Sequence, residues 1–367
     1  MTFLEIIRDP STILPIRYTG SFREALKEKI QHFGQVIDNS DNLSMAIEGI
    51  NLDQAVFKKR NKILRNGILN TIDAYYEGDP SKAYRILSTA LKESNLTGYL
   101  NKEFELPENS NLFRIRKETK NYPLSKEELF HIPFELRSKV STQRYSIPGL
   151  PSLYLANSIY VAWEEMRRPG FNEIHATRIV NNRPLMLLDL TNDIFARNKH
   201  LVDNLSYNWQ LLYKVMAWPL IAACSVKVQN TEDPFKPEYI IPQLLLQWVN
   251  KNTVYGIKYS STHIDLNKSA HEGLFYNVVI PVRTFKIERG QCHELKNTFK
   301  STRVIPLQIR QFITFSDRLD HQTSILDNVN PDISGVELIE GHLQKYSSTI
   351  FGILEHNLNG IELETFD

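Results

Sequence analysis

The chain changes texture across residues 106–111, LPENSN, and that change limits what it can fold into. Before it, apolar residues recur at helical spacing. Ser21 with Glu24 three residues on is a capping box opening a helix through about Phe33. A second helix is predicted from Asp53 to Tyr76, with Ile63, Leu64, Ile68 and Ile72 along its apolar stripe, and a third from Ser81 to Glu93. Residues 1–105 are expected to form a helical accessory domain, with partner binding or autoregulation as its other use. After the linker, short strands and helices interleave. Strands are predicted over 112–116, 151–156, 185–190, 254–260, 274–282 and 304–315. Helices are predicted over 207–217 and 243–249, and from a cap at Asn157 or Ser158 through Met166, ended by Pro169 and Gly170. The order has no βαβ rhythm, so the class is α+β rather than a doubly wound parallel sheet.

A chain of 367 residues, 42% of them hydrophobic, can build one large domain or two modest ones. The 43 Lys and Arg are balanced by 42 Asp and Glu, which argues against a dedicated nucleic-acid binder. Cys224 and Cys292 cannot form a disulfide framework, so a reducing compartment is expected. The N-terminal MTFLEIIRDPST has neither a basic n-region nor an apolar h-region. The most apolar stretch, 211–226, carries Lys214 and Pro219 and is too short to span a bilayer. A soluble, cytoplasmic protein with no membrane contact is expected.

Residues 130–165, FHIPFELRSKVSTQRYSIPGLPSLYLANSIYVAWEE, gather chemistry around a short loop. Just upstream, Arg114 and Arg116 are two apart on a predicted strand and share a face. In a cleft they would clamp a phosphate, which guanidinium matches bidentately; on an exposed edge they would form salt bridges. The loop carrying Arg144 and Tyr145 is stiffened by Pro148 and Pro151, and Gly149 permits a positive φ. Tyr154 lies late in the next strand, and the helix carrying Glu164 and Glu165 follows at once. A strand-end aromatic and such a carboxylate can meet across one cleft, or both can be ordinary core and surface residues. Helix geometry sets the two glutamates about 100° apart, and the sequence does not choose between them. Ser260, Ser261 and His263 close a strand, and a Ser-His pair invites a hydrolase reading, but no G-x-S-x-G elbow precedes either serine; a plain strand end comes first, a hydroxyl contacting a ligand second, and a nucleophile is not expected. Ten histidines are scattered without metal-ligand spacing, and no metal is expected. Walker A and G-x-G-x-x-G motifs are absent.

These residues together resemble the RES domain family, in a long form with a helical N-terminal extension. The resemblance covers residues 112–282 and is strongest over 130–165, with support from PEYIIPQLLLQW, YGIKYSS and FYNVVIPV. It implies an ADP-ribosyltransferase-like mixed-sheet core over 106–310, and a C-terminal extension, 311–367, packed on it. It also implies a bacterial toxin or defence effector that consumes NAD by hydrolysis or phosphorolysis of the nicotinamide–ribose bond. The alternatives are transfer of ADP-ribose to a protein or nucleic acid, and a non-catalytic interaction module. Mapped on this chain, Arg114 and Arg144 are the family's phosphate-binding arginines, with Tyr145 beside them. Tyr154 is its strand tyrosine, Glu165 its helical glutamate with Glu164 as the near alternative, Ser261 its serine with Ser260 one residue off, and Asn277 the asparagine of its last strand. A cognate antitoxin or regulatory protein and self-association are the implied partners. This sequence departs from the short toxins in the segment between Arg114 and Arg144, in a longer stretch between Glu165 and the serine strand, and in its terminal additions.

Overall fold

The computed structural model describes residues 3–40, 43, 53–118, 124–196, 208–283, 287–307 and 329–366. Its helices are α1 (Phe3–Arg8), α2 (Phe22–Asp38), α3 (Gln54–Tyr76), α4 (Pro80–Glu93), α5 (Ile159–Glu165), α6 (Asn208–Cys224), α7 (Ile240–Val249), α8 (His293–Thr298) and α9 (Ile350–Asn359). Its strands are β1 (Glu105–Leu106), β2 (Asn111–Lys117), β3 (Ser152–Ala156), β4 (Ile174–Asn181), β5 (Leu185–Leu190), β6 (Gly256–Ser260), β7 (Glu272–Gly273), β8 (Tyr276–Pro281), β9 (Phe299–Ser301), β10 (Ile305–Pro306), β11 (Ile333–Ile339), β12 (His342–Lys345) and β13 (Glu364–Thr365). Helices and a large sheet make the expected α+β class.

Two compact units result. One takes 1–105, 142–147 and 186–257; the other takes 106–141, 148–185 and 258–367. The chain passes between them at β1, β5 and β6 and at the ends of the Arg144 loop. The 106–310 span therefore contributes to both units.

The first unit is helical. Its helices start where local chemistry dictates: Ser21, Asp53 and Asp79 each accept a backbone N–H at a helix start, and Pro80 sits at the first position of α4. Helix α6 runs on past the predicted end at 217, through Pro219, to Cys224. Trp218, Leu220 and Ile221 are all fully buried, and burying them at roughly 1.5–3 kcal/mol each outweighs a proline penalty of about 3 kcal/mol. Trp218 stacks on Phe33 with ring centroids 4.1 Å apart, and its Nε1 donates to Thr12 O at 3.0 Å. The predicted start of this helix, Tyr207, lies outside the described residues.

The second unit carries strands in the hydrogen-bonded order β8-β3-β2-β4-β9-β13, with β10 on β4, and a separate three-stranded sheet β12-β11-β7. The register differs sharply along the first sheet. β2 pairs with β4 over its whole length, Asn111 with Val180 through Lys117 with Ile174, and β3 pairs with β8 from Ser152–Pro281 to Ala156–Asn277. Between β2 and β3, Phe113–Ala156 is the one register pair, so these strands part on either side of it. Phe113, Ile115 and Ala156 join Tyr160 of α5 and Phe351, Leu354 and Leu358 of α9 in one apolar cluster. Arg114 and Arg116 alternate with Phe113 and Ile115 and take the other face of β2. The predicted strand over 304–315 is confined to Ile305–Pro306 among the described residues; Leu307 follows, and 308–315 lie outside them.

Candidate active site

The polar residues of interest in the second unit are arranged by one row of the sheet. Ala156 pairs with Phe113 on one side and with Asn277 on the other. Neighbouring strands lie about 4.8 Å apart, so the backbones at Phe113 and Asn277 are about 10 Å apart, with β3 between them. Arg114 is the next residue after Phe113 in β2, Tyr154 lies two before Ala156 in β3, and α5 leaves β3 immediately after Asn157.

Glu165 ends α5, and its side chain is held by residues from two other elements. Ser261 Oγ, just past β6, donates to Oε1 at 2.6 Å, and Asn277 Nδ2 of β8 donates to the same oxygen at 3.0 Å. Ser261 is buried; its N–H donates to Phe275 O at 3.0 Å, and its Oγ also accepts the N–H of His263 at 3.2 Å. Oε2 is left with His263 Nε2 at 4.0 Å. His263, which the sequence only grouped with the serines closing the strand, stands beside the carboxylate.

The two glutamates that the sequence did not separate have different surroundings. Glu164 is buried and turned into another network, where Arg168 Nε donates to its Oε2 at 3.0 Å. It also helps raise the proton affinity of the Tyr160 phenol, whose main cause is burial. Glu165 is thus the glutamate that meets Ser261 and Asn277.

Arg114 spans the gap where β2 and β3 part, and its Nη1 donates to Tyr154 O at 3.1 Å. Loss of solvent lowers its pKa to about 10, with Arg116 lowering it further and the Tyr154 phenol opposing. Among the described residues no carboxylate pairs with it. The Tyr154 phenol is itself pushed well up by burial, with Arg114 pulling it back. His131, also buried, is lowered to about 4, first by loss of solvent, with Arg114 and Lys296 adding to the effect. It is therefore neutral near pH 7, with Nε2 accepting the N–H of Cys292 at 2.8 Å and Nδ1–H donating to Ile132 O at 2.9 Å. Arg116 is exposed and donates to Glu128 O at 2.9 Å.

Arg144 and Tyr145 belong to the first unit. Arg144 Nη1 and Nη2 each donate at 3.0 Å to a carbonyl at the end of α6, Cys224 O and Val226 O, and the guanidinium lies over the Tyr239 ring at 5.2 Å. Tyr145 is buried and interacts with the Cys224 thiol, which burial pushes up to about 12. Gly149 takes the positive φ expected of it, 73°.

Among the described residues no group of three or more His, Cys, Asp or Glu is gathered for a metal ion, and no helix is long and apolar enough to cross a membrane.

A protein of Bacillus subtilis (strain 168) named "Putative toxin YopC" is 35% identical to this chain over 254 residues. The match covers 64% of this chain and 55% of that protein, so the chain spans about half the length of the relative it matches. No family model matches the chain, and no solved structure matches it.

Proposed function

We propose that this chain is a bacterial toxin of the RES type that cleaves the nicotinamide–ribose bond of NAD. The observation that carries the reading is the convergence of Ser261, Asn277 and the end of α5 on one carboxylate, that of Glu165. Two donors on Oε1 fix the group and leave Oε2 as the oxygen available to a ligand. A fixed anion is what an oxocarbenium-like transition state needs, because positive charge develops at the anomeric carbon as the bond breaks.

In this reading the C1′–N bond breaks and its electron pair goes to the nicotinamide ring nitrogen. A water or phosphate oxygen bonds to C1′; where water attacks, its proton leaves to solvent. Glu165 stabilises the cation and orients the ribose hydroxyls. Arg114 binds the pyrophosphate: a partly buried guanidinium without a carboxylate partner among the described residues is suited to an anionic ligand. Tyr154, sharing its surroundings, packs on the nicotinamide ribose. Because Arg144 already has both terminal nitrogens on carbonyl oxygens, phosphate binding rests on Arg114, and Arg144 braces its own loop. The name of the Bacillus subtilis relative supports the toxin part of the reading, and a toxin implies an antitoxin that restrains it.

The test is NAD consumption by the purified chain, with and without phosphate, beside Glu165→Gln and Glu164→Gln. Free nicotinamide released by the wild type and by Glu164→Gln, but not by Glu165→Gln, is the expected result. Phosphate dependence would name the acceptor, and label from NAD retained on a macromolecule would point to ADP-ribosyl transfer. Equal rates in wild type and Glu165→Gln would sink the assignment.

A further inference from the structure

Residues 329–366 lie in the same unit as Glu165 and include a carboxylate in an unusual place. Glu355 is on the face of α9 that carries Phe351, Leu354 and Leu358, and it is fully buried. A carboxylate there persists only if donors reach it, and three do. The Ile159 N–H donates to Oε1 at 2.7 Å, the Tyr346 hydroxyl donates to the same oxygen, and Asn330 Nδ2 donates to Oε2 at 3.0 Å.

Ile159 is the first residue of α5, so its N–H is one of the donors that a helix start leaves without an internal acceptor. Ser158 Oγ takes the Val161 N–H at 3.0 Å, and Glu355 takes that of Ile159. The same C-terminal segment grips the turn before the helix. Asn330 Nδ2 also donates to Asn157 O at 2.9 Å, and Asn157 Nδ2 donates to Asp332 Oδ2 at 3.2 Å. Since α5 has only seven residues, the direction of its first turn sets where Glu165 ends.

We propose that Glu355 is a positioning residue for Glu165, through which the C-terminal segment aims α5 so that its last residue meets Ser261 and Asn277. The kinetic part of this proposal rests on the NAD-cleaving reading; the positional part does not.

The test compares the full-length wild type with Glu355→Gln and Tyr346→Phe, measuring NAD-cleavage kinetics and amide hydrogen exchange. An amide at position 355 presents a donor where a donor already points. Losing one buried hydrogen bond and leaving its partner unsatisfied predicts a fall in kcat of about tenfold or more at nearly unchanged KM. Exchange should speed up by about tenfold over 159–165, with α3 and α4 unaltered. Tyr346→Phe should show a smaller change of the same pattern, and it carries the comparison if Glu355→Gln does not fold. Unchanged exchange over 159–165, or faster exchange spread evenly through α3 and α4 as well, would overturn the proposal. If the wild type leaves NAD intact, the functional reading fails on its own, and the exchange pattern still decides the positioning role.

Discussion

Arg114→Met separates a cation kept for a ligand from one kept for the fold. Loss of solvent takes the guanidinium pKa from 12.5 to about 10. Each tenfold change in proton affinity is about 1.4 kcal/mol, so in the empty protein the charged form is penalised by up to about 3 kcal/mol. Some exposure remains at Arg114, which makes that figure an upper bound. Against it stands the bond to Tyr154 O, worth about 1.5–3 kcal/mol for a charged donor. The two nearly cancel, so Arg114→Met should unfold within about 2 kcal/mol of wild type. With ligand the balance changes. A ligand at a hundred times its Kd adds about 2.7 kcal/mol of stability, and losing the bidentate contact should remove nearly all of it. Thermal unfolding with and without pyrophosphate or NAD, at matched ionic strength, reads both terms. Equal ligand-induced stabilisation of variant and wild type would refute the assignment. So would an empty variant destabilised by more than about 4 kcal/mol, which would make Arg114 a structural cation.

Ser261→Ala removes one of the two donors on Glu165 Oε1; losing about 1.5–3 kcal/mol of alignment should lower kcat by roughly 10- to 100-fold, and an unchanged kcat would remove Ser261 from the site. Burial pushes Glu355 up to about 7 from 4.5, with Asp332 adding and its three donors opposing. Between those values the folded chain holds a proton that the unfolded chain has released. Stability from this group is therefore full below about pH 4.5 and lost as the pH rises through about 7, by roughly 3 kcal/mol in all. Denaturant unfolding across that range should show the slope in wild type and not in Glu355→Gln; the same slope in both would contradict the assignment. Gly273 has φ 135°, and a Cβ there would lie 2.4 Å from Asp332 O. Gly273→Ala should cost about 2–4 kcal/mol, measured by thermal unfolding, and a cost below about 1 kcal/mol would mean that the Gly273–Asp332 approach is readily relaxed.

Local chemistry was legible and long-range placement was not. The caps at Ser21 and Ser158 each accept the backbone N–H three residues on, and Asp53, the expected start of α3, is its cap. β4, IHATRIVN, was missed because its polar residues are buried rather than outward. Thr177 Oγ1 bonds with Ser301 and Thr302, and Asn181 Nδ2 donates to two carbonyls. Alternation read as polar-out cannot show that. The Glu165 partners lie 96 and 112 residues away; Asn277 was named by the family resemblance alone, and the local sequence pointed to Ser261 only as a hydroxyl at a strand end. One signal lies in the sequence itself: Glu164 and Arg168 are opposite charges four apart, and they pair across the turn that follows α5, which leaves Glu165 to face Ser261 and Asn277. Another was Glu355, a carboxylate on the apolar stripe of α9.

The position of Glu165 is a tertiary property, which is why no local pattern could supply it. A helix of seven residues is too short to persist on its own. At its start α5 relies on Ser158 and on Glu355. At its end the chain turns through Arg167 and Arg168 with φ of 60° and 56°, the left-handed region that costs a non-glycine residue about 1 kcal/mol or more. That turn is held by the Arg168–Glu164 ion pair, by Arg168 over the Trp163 ring at 5.5 Å, and by Trp163 Nε1 donating to Pro169 O at 2.8 Å. The helix ends at Glu165 with Met166 as its cap, within a residue of the expected end, and the reversed backbone at Arg167 and Arg168 stops it before Pro169 and Gly170 are reached. A carboxylate on a short helix gripped at both ends loses little entropy when two further donors align it.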